Sequence, residues 1–170
     1  MNFLQNIWNV LGSLSLIHWL AVLGVAVISG LVYVWRYLRL QYGFACNLKR
    51  RVYFLKTSTS KNLQTERDMI RRISLFNIED DIKDVSQDLK PLQNLRSRAA
   101  FVVGYDSEYS RLGELVNEAR SKNIPVIIFA KQGEIKKPEH WEVINGYIYC
   151  DVANTSNRLA IILLNMLMIA

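Results

Sequence analysis

From Met1 to Trp35 the chain carries no Lys, Arg, Asp or Glu. All 21 basic and 15 acidic residues of the 170-residue sequence lie beyond that point. The averages, 51% hydrophobic and 21% charged, therefore describe neither part. An uncharged apolar segment needs apolar surroundings, which argues against a wholly soluble single domain. Intrinsic disorder is argued against too, because it requires few apolar residues and high net charge. The charged remainder is long enough for one compact domain.

Ile17 to Leu38 reads IHWLAVLGVAVISGLVYVWRYL. As a helix it would be about 33 Å long, close to the ~30 Å hydrocarbon core of a bilayer. Trp19 stands near one end and Tyr33, Trp35 and Tyr37 near the other, as amphipathic aromatics do at headgroup level. Arg36 and Arg39 are placed to snorkel to the interface. A cleaved signal peptide would begin with positive charge and end at a small-residue site. Here the positive charge follows the apolar run. The expectation is one transmembrane helix, span about 17–38, within a membrane segment 1–40. A connector 41–50 follows, with a break at Gly43, and then a domain over 51–170.

Arg36, Arg39, Lys49, Arg50 and Arg51 all follow the span, so the positive-inside rule puts the domain in the cytoplasm. This predicts a single-pass membrane protein with the lipid bilayer as a partner. Two cysteines, Cys46 and Cys150, make no disulfide framework. Residues 2–13 have apolar residues at helical spacing, which fits an interfacial helix or an extension of the span. Ala26 and Gly30 form a small-xxx-small pair of the kind that lets helices approach.

Beyond the span, apolar runs alternate with helical patterns. Strands are predicted at 51–57, 99–105, 125–131 and 146–152, with a short one around 82–85. Helices are predicted at 63–76, from Pro91 to Arg96, at 112–122 and at 157–170, with a loop containing Gly133 and Pro138. Continuous apolar strands separated by helices imply a parallel sheet covered on both faces. The fold class is α/β: a small Rossmann- or flavodoxin-like sheet of four or five strands behind an N-terminal transmembrane helix. The last helix is apolar almost all round and too short to span a bilayer. Burial of that surface on a second subunit, or within the monomer, accounts for it.

Ligands of such sheets sit beyond the carboxyl ends of the strands, at a topological switch point. Two loops qualify. The first carries Thr57, Ser58, Thr59, Ser60 and Lys61 ahead of a helix, suited to a phosphate or ribose. The second carries Asp106, Ser107, Ser110 and Arg111, followed by Glu114 in the first helical turn. A carboxylate at Glu114 could bind ribose hydroxyls, act in N-glycosidic cleavage, or simply complement the helix dipole.

The run LQNLRSRAAFVVGYDSEYSRLGELVNEARSKNIPVIIFA resembles the central part of nucleoside deoxyribosyltransferase-like and TIR-like Rossmannoid domains. Ser110, Gly113 and Glu114 match their loop-and-glutamate positions, and Pro125 opens the next strand. The first loop is similar to the Ser/Thr-rich loop of CARF domains, which bind cyclic oligonucleotides as dimers. A membrane helix on such a domain resembles the transmembrane effectors of bacterial anti-phage signalling. That resemblance implies the bacterial inner membrane as the location, a (cyclic) nucleotide ligand, a homo-oligomer and membrane disruption, with no cofactor. The TIR and deoxyribosyltransferase side implies a nucleotide or NAD glycohydrolase with Glu114 as its catalytic carboxylate. An adaptor that only oligomerises is a third reading. The net charge of +6 comes without a basic patch interleaved with aromatics, so duplex nucleic acid is not expected. His18 and His140 lie in different regions, and metal-ligand spacing is lacking.

Overall fold

The computed structural model describes residues 5, 7, 12, 16–58, 63–93 and 99–169. The chain divides into two compact units, 1–43 and 44–170. The reading of residues 2–13 falls outside the described residues except at Gln5, Ile7 and Gly12.

Helix α1 runs over Leu16–Leu48. Its 33 residues correspond to about 50 Å. Among the described residues it is the one helix long and apolar enough to cross a membrane, over His18–Leu48. Gly24, Gly30 and Gly43 do not interrupt it, because each backbone bond closes within the helix. Gly43 is therefore not a break, and the first residues of the expected connector are helical. The guanidinium of Arg39 lies 5.5 Å from the centre of the Trp35 ring, a cation–π pairing at the end of the uncharged run.

The second unit continues with β1 (Arg51–Lys56), α2 (Gln64–Arg72), β2 (Asn77–Ile78) and β3 (Lys83–Asp84). Next come the short α3 (Lys90–Gln93), β4 (Ala99–Gly104), α4 (Leu112–Ser121) and β5 (Val126–Phe129). The chain then forms α5 (Pro138–Asn145), β6 (Cys150–Ala153) and α6 (Ser156–Ile169). The strand order is β2-β1-β4-β5-β6, with β3 also on β1, and all pairs are parallel. The α/β parallel sheet behind an apolar helix is as expected, with six strands where four or five were expected.

Side chains of a strand alternate between faces, so this sheet carries two cores. Tyr53, Leu55, Phe101, Val103, Val126 and Ile128 pack toward Leu112, Leu115, Ala119 and Ile144, on the side of α4 and α5. Val52, Phe54, Ala100, Val102 and Ile127 pack toward Ile70, Leu159, Leu163 and Leu167, on the side of α2 and α6. Every residue of β4 is buried, which is why it reads as an unbroken apolar run.

Two expectations need correction. The segment around Pro138 is a helix rather than a loop, because Pro138 stands at its start and Glu139 in its first turn. The last strand begins at Cys150 instead of Gly146. Tyr147 looks like a strand residue, but it is buried from a turn, and its hydroxyl donates to the Ile124 carbonyl at 3.0 Å.

Candidate functional site

The chain leaves β1 toward β2 and β3 on one side, and then crosses to β4 on the other. The switch point is thus the crevice between the carboxyl ends of β1 and β4. Both loops singled out in the sequence border it.

Thr57 follows β1 with a buried side chain, and its hydroxyl donates to the Gly104 carbonyl at the end of β4 at 2.5 Å. Gly104 has a local reason: a Cβ there would lie 3.3 Å from the Leu63 side chain, which packs over it. One hydrogen bond and one close packing contact therefore stitch the two loops together. Ser58 is half-buried. Thr59, Ser60 and Lys61 lie outside the described residues.

The second loop is tied down through its own side chains. The Asp106 carboxylate accepts the Glu108 backbone N–H at 2.9 Å, a local Asx turn. Tyr109 is buried, and its hydroxyl donates to the Val85 carbonyl at 2.9 Å. Burial pushes the Tyr109 phenol above its ordinary pKa. Ser107 and Ser110 are exposed. Arg111 donates to one Glu114 oxygen through Nε at 2.9 Å and Nη2 at 2.7 Å. Its Nη1 donates to the Gln87 carbonyl at 2.8 Å, bridging α4 to the loop after β3. The bond to Glu114 holds the Arg111 guanidinium above its usual pKa. Asp84, at the end of β3, is held below the usual carboxylate range by hydrogen bonds from Ser86.

Asp106, Ser107, Ser110, Arg111 and Glu114 therefore gather on one edge, with Thr57 locked beneath. The Glu114 side chain is 61% exposed and engaged by Arg111. The arrangement offers exposed hydroxyls and a carboxylate to a polar ligand. A glycosidase-type reaction draws on a water-excluded carboxylate, and 61% exposure falls short of that enclosure. Among the described residues, no three His, Cys, Asp or Glu side chains gather to hold a metal ion.

A second feature on the carboxyl edge escaped the sequence reading. Beyond β5 and β6 lies a cavity of about 200 Å³, bordered by Lys131, Trp141, Asn154 and Arg158. The signal was present, since Lys131 and Asn154 each follow a parallel strand. The switch-point rule alone directed attention to β1 and β4.

The class is that of a doubly wound α/β domain preceded by an apolar helix long enough to span a bilayer. No protein-family model matches the chain, and no curated protein matches it.

Proposed function

We propose that the protein is a membrane-anchored effector of the bacterial anti-phage kind. In this reading the domain is cytoplasmic, the membrane is the inner membrane, and α1 crosses it once. A nucleotide signal, cyclic in the favoured case, binds the carboxyl edge of the sheet, and the protein oligomerises. The assembled helices then disrupt or depolarise the membrane. One observation carries the proposal: none of the apolar window of α1 is buried, while the α/β unit has two closed cores of its own. A helix needed only for stability would be packed.

A single helix cannot enclose a pore, so the reading requires several copies. Ile161 and Ile169 on α6 are 61% and 74% exposed, and supply apolar surface for that assembly. The outer edge of β6 is a poor alternative. By strand alternation its outward N–H groups are those of Cys150 and Val152. They are capped by the Tyr147 carbonyl at 2.9 Å and the Asp151 carboxylate at 2.7 Å. Such capping blunts edge-to-edge pairing.

The test is dye release from liposomes carrying the full chain, with cyclic dinucleotides added. Release that depends on both the nucleotide and residues 1–40 is expected. Release that persists after deletion of 1–40 would sink the proposal. A membrane-tethered glycohydrolase is the second reading, favoured by the exposed Ser110 and Glu114 in the loop and first helical turn after β4. It expects Glu114→Gln to abolish NAD or nucleotide cleavage, whereas the effector reading expects that variant to release dye as before.

A further inference from the structure

The cavity beyond β5 and β6 shares no residue with the switch-point crevice. Its walls come from the loop after β5, from α5, and from the turn between β6 and α6. Gly133 adopts φ +74°, which glycine reaches without steric cost. This lets the loop turn back, with the Glu134 N–H on the Lys131 carbonyl at 3.0 Å. Lys131 is thereby set on the rim. The Trp141 indole N–H donates to the Ile135 carbonyl at 3.1 Å, while the residue stays 40% exposed. The ring is fixed but accessible. Arg158 stands in the first turn of α6, where the Thr155 hydroxyl accepts its backbone N–H at 3.2 Å.

Charge makes this cavity distinctive. Lys131 and Arg158 both line it, and among the described residues neither forms an ion pair. The nearby Glu134 carboxylate accepts the Lys131 backbone N–H at 2.7 Å and is not part of the lining. With two cations and no acid among the lining residues, the cavity carries a net positive lining, a potential that an anion relieves. A guanidinium offers a planar fork suited to phosphate, and an ammonium adds a point charge. The volume, about 200 Å³, is below the roughly 300–1,000 Å³ of pockets that enclose a whole drug-sized ligand. It suits one phosphoryl group with a sugar or ring leaning outward on the Trp141 face.

We infer that this cavity binds a phosphate-bearing small molecule, with its phosphoryl group between Lys131 and Arg158 and its remainder against Trp141. The test is calorimetric titration of the full chain in lipid nanodiscs, with inorganic phosphate and adenosine monophosphate as separate probes. Saturable binding is expected, weakened about tenfold by Lys131→Met and again by Arg158→Met. Lys131→Arg, which keeps the charge, is expected to retain it. Lys136→Met, an exposed lysine of the same loop outside the lining, is expected to bind like the parent. Tighter binding of the nucleotide, lost in Trp141→Leu, assigns part of the recognition to the ring. Equal affinities would overturn the part of the inference that places the remainder against Trp141. Both substituted cations are exposed, and an unchanged unfolding midpoint separates lost binding from lost fold. No saturable binding of either probe, or an equal loss in Lys136→Met, overturns the inference. That result leaves the effector reading standing, because the candidate ligand residues of that reading at the switch-point crevice share none with this cavity.

Discussion

Val25 and Leu31 of α1 are each 65% exposed, whereas Val102 and Leu163 of the α/β unit are completely buried. The residue types are the same and the surroundings are opposite. In the α/β unit each apolar side chain meets another across a layer, so the chain supplies its own apolar solvent. Along α1 it does not. Removing one large apolar side chain from water is worth about 1.5–3 kcal/mol. A dozen left wet would forfeit on the order of 20 kcal/mol, more than the ~5–15 kcal/mol stability of a typical domain. The difference teaches that α1 is apolar enough to span a membrane and leaves that surface exposed, while the rest of the chain buries its own.

The strongest way to break this comparison is to charge the helix. Lysine in place of Val22, Val25, Val27, Ile28, Leu31 and Val32 puts six ammonium groups on the apolar run of α1, at about 2.5–3.5 kcal/mol each and on the order of 18 kcal/mol together, comparable to the gain above. Vesicle flotation should show loss from the membrane fraction, with the unfolding midpoint of the domain unmoved. Continued flotation would mean that α1 is not a span. Next in size is Phe54→Ala, which opens a cavity in the α2 and α6 core. It should lower stability by about 3–5 kcal/mol in denaturant titrations. Val27→Ala, at a position 58% exposed on α1, should leave that midpoint where it was. Similar losses at both sites would erase the contrast.

A smaller effect is expected within the core facing α4 and α5. The Tyr105 hydroxyl and His140 Nδ1 are 2.9 Å apart, and both residues are buried. Tyr105→Phe leaves the ring nitrogen unpaired and should cost about 1–3 kcal/mol. Burial, reinforced by Lys137, holds the His140 imidazole below its usual pKa of 6.5. Above that value both folded and unfolded states are neutral, and the full stability is present. As the pH falls through 6.5 toward the lower folded value, the unfolded state takes up the proton first, so stability drops. His140→Asn should flatten that part of the pH–stability curve; an unchanged slope would assign it to another group. The smallest effect is on the surface. Glu114→Gln breaks an exposed pair with Arg111 and should change stability by about 0–1 kcal/mol. A larger loss would show that this pair secures the loop after β3.

Much of the architecture was legible because the patterns that carry it are local. The buried runs of β4 and β5 and the helix between them follow from apolar order along a few residues. The edge of the sheet was harder. β2 and β3 have two residues each, too few for a periodic signal, and their stability comes from pairing with β1. α5 was hidden because Pro138 was read as punctuation, although the same residue favours a helix start. At the site, Thr57 and Arg111 were recognisable as polar groups on loops. Their commitments to the Gly104 and Gln87 carbonyls were not, since those partners come from distant parts of the sequence. Lys131 was visible as a residue following a strand, but nothing in the order of residues brings it to one cavity with Arg158.

The sequence by itself determined that the first part of the chain is apolar enough to span a membrane as a helix and that the rest builds a covered parallel sheet. Both are consequences of where apolar side chains fall, and hydrophobic burial is read locally. Only the tertiary structure decided which polar groups are already used and which still face solvent. A hydrogen bond or ion pair depends on the loops that the strand order brings together, and that order is not written in any single segment.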